Sequence, residues 1–254
     1  MAGRMNPLPR LPGLRALALG ELRAALAVLR RHWVGLFLLF AGLLLPLWVF
    51  AELAEEIHEQ QTFAFDRPVL EFARQMAHDG FDRVFLFFSA LGYAWGVVPF
   101  AVGLVLALAA ARQYRRSVFA ALALGGASLL NMGSKQLFAR VRPDLWDSIA
   151  PETTYSFPSG HAMGSMALAV VVVLLAWPSR WRLPVLAAMA VFVPMVGLSR
   201  IYLGVHYPTD ILAGWAAASA WSVGSFVLVF GPHWWRQWRS ARNGGDRDTT
   251  DDPA

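Results

Sequence analysis

The chain predicts an all-α fold, a bundle of six transmembrane helices, on three observations. Hydrophobic residues make up 57% of its 254 residues and charged residues 15%. The apolar residues fall in long uncharged runs, most of them close to the roughly 20 residues that a spanning helix needs. Arginines cluster beside alternate ends of those runs, the bias that marks the cytoplasmic side of a membrane protein.

Residues 1–32 read as a basic cytoplasmic arm carrying Arg4, Arg10, Arg15, Arg23, Arg30 and Arg31. Within it, Leu11–Arg31 is rich in leucine and alanine. That pattern fits an amphipathic helix on the inner surface and a solvated helical extension equally well. Residues 33–232 form the spanning domain, whose first uncharged run is Trp33–Ala51. The segment after it is acidic (Glu52, Glu55, Glu56, Glu59, Asp66, Glu71) and so lies outside. Its Glu55-x-x-His58 pair has the spacing of a di-iron ligand pair, but no second pair faces it, and a solvated helix end is the reading taken. Phe63–Phe88 is broken by charges and belongs at the outer interface.

The run Val84–Ala111 is too long for one upright span, so its crossing falls near Ala94–Ala111 after an interfacial or looped start. Ser117–Ser134, Ala162–Ser179, Leu183–Ser199 and Ile211–Pro232 supply four more crossings. Small residues (Gly125, Gly126, Ser128, Gly164, Ser165, Ala213, Gly214, Ala217) let the third, fourth and sixth spans approach closely. Arg112, Arg115 and Arg116, then Arg180 and Arg182, mark the inner loops. Both termini are therefore cytoplasmic, and residues 233–254 form a cytoplasmic tail whose polar end, Ser240–Ala254, reads as disordered. No cleavable signal peptide is apparent, because the first apolar run starts late and is long. These features fit a bacterial inner membrane.

The net charge of +5 resides largely in the inner flanks, where anionic lipid headgroups are its counterpart. It calls for no nucleic acid partner. With no cysteine in the chain there is neither a disulfide nor a thiolate metal site.

Charged and titratable residues at the outer ends of the later spans form the informative pattern. Lys135 and Arg142-Pro143 bracket the exit of the third, Ser159-Gly160-His161 opens the fourth, Arg200 ends the fifth, and His206 and Asp210 flank the start of the sixth. Arg140, Arg142 and Arg200 oppose the inner arginine bias, and functional need accounts for at least Arg142 and Arg200. Arginine forks and a lysine point charge suit the several oxygens of a phosphoryl group. Three cations neutralise the charge that spreads over it in the transition state, so no metal and no cofactor is called for. Ser159 is a natural N-cap, Gly160 permits close backbone approach, and free N–H groups at a helix start attract anions. The spacing of His206 and Asp210 lets the carboxylate receive Nδ1–H and leaves Nε2 free to attack.

The pattern Lys135-x6-Arg142-Pro143, Pro158-Ser159-Gly160-His161, then Ser199-Arg200-x5-His206-x3-Asp210 resembles the three-part signature of the type 2 phosphatidic acid phosphatase superfamily. All three parts match, over Lys135–Asp210, and haloperoxidases share the core. The resemblance implies that His206 attacks phosphorus to form a phosphohistidine, with Asp210 orienting it. His161 protonates the leaving oxygen and then activates water. Lys135, Arg142, Ser159, Gly160 and Arg200 hold the phosphate. The implied substrate is a membrane lipid phosphate: phosphatidic acid, phosphatidylglycerophosphate or undecaprenyl diphosphate. Phosphotransfer to another lipid, and headgroup binding without cleavage by a transporter or scramblase, are the alternatives. Asp144, Asp147 and Glu152 read either as solvated or as parts of a gating loop. His32, His58, His78 and His233 receive no role.

Overall fold

The computed structural model describes residues 36–37, 39–59 and 63–244, with the backbone alone at 79 and beyond 231. The basic arm of residues 1–32 and the last residues of the tail lie outside the described part. A π-helical turn, Phe40–Leu44, leads into α1 (Leu45–His58), followed by α2 (Asp66–Gln75), α3 (Asp79–Leu91), α4 (Val97–Ala110), α5 (Tyr114–Phe138), α6 (Gly160–Ala176), α7 (Arg182–Tyr202) and α8 (Pro208–Gly244). All regular structure among the described residues is helical.

Among the described residues, three helices are long and apolar enough to cross a membrane: Tyr114–Phe138, Arg182–Tyr202 and Pro208–Gly231. Two shorter apolar helices, Val97–Ala110 and Gly160–Ala176, accompany them. The long run Val84–Ala111 does break, at Gly92–Gly96 between α3 and α4. With 14 residues, α4 is shorter than the crossing expected near Ala94–Ala111, and at 1.5 Å per residue it rises only about 21 Å. Helix α8 runs past Pro232 to Gly244, because the stretch that follows Pro232 holds no helix breaker before Gly244.

Helices α5, α6 and α8 form the centre, with α7 against α6, α4 against α5, α1 against α8 and α3 against α7. Phe119, Ala120, Ala123, Met163, Ala167, Val171 and Ala218 fill the seam between α5, α6 and α8. Small residues set the spacing at particular points rather than along the whole stripe. A Cβ on Gly126 would meet the Trp221 ring at 2.4 Å, and one on Gly214 would meet the Ser159 carbonyl oxygen at 2.9 Å. Gly125 faces open space, so it does not serve the close approach expected of it.

Helix starts and ends then aim the polar residues. Ser159 caps α6, its side chain accepting from Ala162 N–H. His78, given no role from sequence, caps α3 by accepting from Gly80 N–H. Helix α5 stops at Ala139, which sits in the left-handed region (φ 45°), a position where a Cβ is disfavoured. That turn directs Arg140 and Arg142 back over the ends of α6 and α8. Glu55 and His58 are both exposed at the end of α1.

Candidate active site

Three connections set the site's frame. Ser159 N–H donates to the Asp210 carbonyl oxygen (3.1 Å), locking the start of α6 to the start of α8. Asn131 Nδ2 in α5 donates to the Pro158 carbonyl oxygen (2.9 Å) and fixes the turn into α6. Lys135 Nζ, one turn further along α5, donates to Thr154 Oγ1 (2.8 Å) and the Tyr155 carbonyl oxygen (2.7 Å). The loop between α5 and α6 is thereby folded over the ends of the long helices.

At the centre stands Glu152, carried by that loop. Its Oε2 accepts from Arg142 Nη2 at 2.6 Å, and its Oε1 accepts from Arg200 Nη2. Nδ1 of His161 lies 3.6 Å from Oε1, and Nε2 of His206 lies 3.8 Å from Oε2. Both guanidiniums and both imidazoles thus converge on one carboxylate. Burial by itself pushes the Glu152 carboxyl up, but Arg200, His206, Arg142 and His161 outweigh it and hold the group down at about 2. Burial lowers Arg142 in turn. Arg200 also donates to Ser89 Oγ of α3, while its buried Nε has no partner among the described residues.

His206 is wholly buried, and its surroundings specify the tautomer. Arg142 Nη1 lies 3.1 Å from Nε2. A guanidinium only donates, so Nε2 presents its lone pair and the proton rests on Nδ1. Burial lowers the imidazole to about 4, against the opposing pull of Asp210, so the ring is neutral at pH 7. Nδ1 reaches Asp210 Oδ2 at 3.4 Å, longer than the direct bond the spacing suggests. The reason is Ser156, whose Oγ lies 3.3 Å from Nδ1 and donates to the same Oδ2. Tyr207 N–H also donates to that oxygen (2.8 Å).

Beyond Asp210 the polar network continues. Arg140 Nη1 donates to Asp210 Oδ1 (2.5 Å) and Thr209 Oγ1 (2.8 Å), while Nη2 donates to Asp66 Oδ2 (2.9 Å). A cavity of about 920 Å³, lined by Phe63, Phe138, Leu145 and other residues, abuts the network through Asp66, Arg140 and Tyr207.

Lys135, Arg142, Ser159, Gly160, His161, Arg200, His206 and Asp210 therefore gather at one end of the bundle. Ser159 is fully buried and its hydroxyl is engaged in the cap. Gly160 makes its close approach to Asn131, whose Oδ1 would lie 3.0 Å from a Cβ there. Sequence reasoning missed Glu152, Ser156, Asn131 and Asp66. Glu152 was read together with Asp144 and Asp147, as solvated or as part of a gating loop, and nothing in the sequence separates it from those two.

The chain matches the PAP2 superfamily over residues 116–234. It is also 32% identical over 172 residues to a decaprenylphosphoryl-5-phosphoribose phosphatase of Mycobacterium tuberculosis, an alignment covering 66% of this chain and 84% of that protein. The chain belongs to the PAP2 superfamily. Phosphatidylglycerophosphatase B of Bacillus subtilis is 29% identical over 172 residues, covering 66% of this chain and 84% of the relative. The crystal structure of a transmembrane PAP2 type phosphatidylglycerolphosphate phosphatase from Bacillus subtilis superposes with a TM-score of 0.62 at 29% identity, over 73% of this chain and 94% of that one. As a PAP2 protein the chain is a phosphoric ester hydrolase.

Proposed function

We propose that this chain is an integral membrane lipid phosphatase that hydrolyses a phosphate monoester or diphosphate through a phosphohistidine. The observation that carries the reading is the seat of Glu152. An anion already rests between Arg142, Arg200, His161 and His206, where the phosphoryl oxygens of a substrate would take its place. The unpartnered Arg200 Nε is a further donor for such an oxygen, and a buried unpaired donor calls for an explanation of this kind.

In this mechanism the Nε2 lone pair of neutral His206 attacks phosphorus, and the bond from phosphorus to the lipid oxygen breaks. His161, which takes up a proton as the anionic phosphoryl group binds beside it, gives that proton to the leaving oxygen. The P–N bond is then cleaved by water, whose proton returns to the now neutral His161, and inorganic phosphate departs. Asp210 and Ser156 take up the Nδ1–H that becomes acidic while His206 carries phosphorus. Lys135, Arg142, Arg200 and the start of α6 at Ser159 and Gly160 hold the equatorial oxygens.

Six crossings with both termini cytoplasmic complete the reading. The arginines of the inner loops support that orientation, which turns the site toward the periplasm of a bacterial inner membrane. A site at the end of an apolar bundle suits a substrate whose headgroup enters while its tails stay in lipid. Phosphatidic acid, phosphatidylglycerophosphate and undecaprenyl diphosphate are the candidates, and phosphatidylglycerophosphatase B of Bacillus subtilis is named for the second of them. Phosphate release from each of these by the purified chain, beside glucose 6-phosphate, tests the proposal. Release from one or more lipids supports it, and a strong preference for the soluble sugar phosphate would overturn the lipid assignment.

A further inference from the structure

Arg140 lies between Lys135 and Arg142 in sequence, yet none of the steps above uses it. Its guanidinium faces away from the cradle that Glu152 occupies. One terminal nitrogen serves Asp210 and Thr209, and the other serves Asp66. The plane of the fork stacks on the Tyr207 ring, 4.1 Å from its centroid. Asp66, the first residue of α2, also accepts from the Thr209 backbone N–H (3.0 Å) and from Thr209 Oγ1 (2.6 Å). Asp66, Thr209 and Asp210 are all buried.

Two buried carboxylates around one cation make a poor stabilising device, since apolar groups of similar volume often do as well or better. The arrangement is better explained by what it does to geometry. Oδ2 of Asp210 serves Tyr207 N–H, Ser156 and His206, whereas Oδ1 is held by Arg140. Without that bond the carboxylate is held on one oxygen only, by Tyr207 N–H and Ser156, and the acceptor aimed at His206 Nδ1 loses its second anchor. Arg140 is in turn anchored through its second nitrogen on Asp66. A lysine cannot replace it, because one ammonium lacks the planar fork that serves two carboxylates at once.

We infer that Asp66 and Arg140 are positioning residues for His206, acting through Asp210: a tether from the start of α2 to the acceptor that orients the nucleophile. This rests on the phosphohistidine reading above. The tether touches neither phosphate nor leaving group, so it governs kcat and leaves anion binding alone.

The test uses the full chain in detergent, with dioctanoyl phosphatidate as substrate and vanadate as probe of the cradle. Arg140→Gln and Asp66→Asn should each lower kcat on the order of tenfold to a hundredfold, as a small misplacement of a reacting group does. The KM and the vanadate inhibition constant should stay near those of the wild type. In an Asp210→Asn background, Arg140→Gln should cost almost nothing more, because the group it positions is already lost. Should Arg140→Gln fail to fold, Arg140→Lys carries the same test and should show a smaller but clear loss of kcat. Wild-type kcat in Arg140→Lys and Asp66→Asn would overturn the tether. So would a full multiplicative loss in the Asp210→Asn background, or vanadate binding that weakens in step with kcat. A wild-type chain that releases no phosphate from any lipid phosphate would instead bring down the phosphatase reading, and the tether with it.

Discussion

Glu152→Gln should make the protein bind a phosphate mimic more tightly while making the ligand-free protein less stable. In the ligand-free site the carboxylate accepts charge-assisted bonds from Arg142 (2.6 Å) and Arg200, and its side chain is 24% exposed. Hydrogen bonds to charged groups contribute about 1.5–3 kcal/mol each. An incoming anion must take both donors from the carboxylate, which regains water as it leaves. One bond's worth, about 1.5 kcal/mol, is therefore the net obstacle, or about tenfold in affinity. Glutamine keeps the shape and removes the charge, so vanadate should inhibit about tenfold more tightly. The same change leaves two guanidiniums without their counterion, so thermal unfolding without ligand should begin at a lower temperature. Inhibition curves and unfolding scans with and without vanadate measure both effects on one sample. Unchanged or weaker vanadate binding by a folded variant would show that Glu152 does not sit where the anion binds, and would remove the main support for the proposed site.

Three other predictions follow the same logic. His206→Ala or His161→Ala should abolish phosphate release and leave a folded protein that elutes like the wild type; full turnover in either variant rules out the mechanism. The pH profile follows from the buried imidazole. His206 falls from the usual 6.5 to about 4 on folding, so the acid limb of kcat/KM should set in only below about 5, as Nε2 gains a proton. Because that shift is downward, the stability it contributes is complete above 6.5 and is lost as pH falls through about 4; a stability that instead rose on acidification across this window would contradict the buried neutral ring. Finally, Gly126→Val should destabilise by about 1–3 kcal/mol through overpacking, since Trp221 ring atoms lie 2.4 Å from the new Cβ. Gly125→Ala, facing open space, should cost nothing, and equal unfolding temperatures for the two variants would refute the packing described for α5 and α8.

Much of the candidate site was legible in the sequence. Lys135, His161, Arg200 and Asp210 stand at the ends of apolar runs, where a charge is expensive and so conspicuous. His206 and Asp210 lie four positions apart across the start of α8, so linear spacing captured their approach but not the part of Ser156 between them. The apolar helices were legible for a similar reason, because hydropathy is a property of the chain read in order. Span lengths were less so: α4 came out short and α8 ran on, since helix ends depend on capping and packing as well as on composition.

The rest required the folded chain. Glu152, Ser156 and Asp66 lie in segments where a solvated polar side chain is the ordinary expectation. Nothing in their order distinguishes them from Asp144 or Asp147. Asp66 meets Arg140 across 74 positions and Thr209 across 143, and His206 finds Ser156 across 50. Composition and periodicity specify which stretches leave water and where charges must stop. Which loop carboxylate fills the cationic cleft, and which guanidinium turns away to brace Asp210, depends on burial and hydrogen-bond geometry that arise only when distant helix ends close on one another.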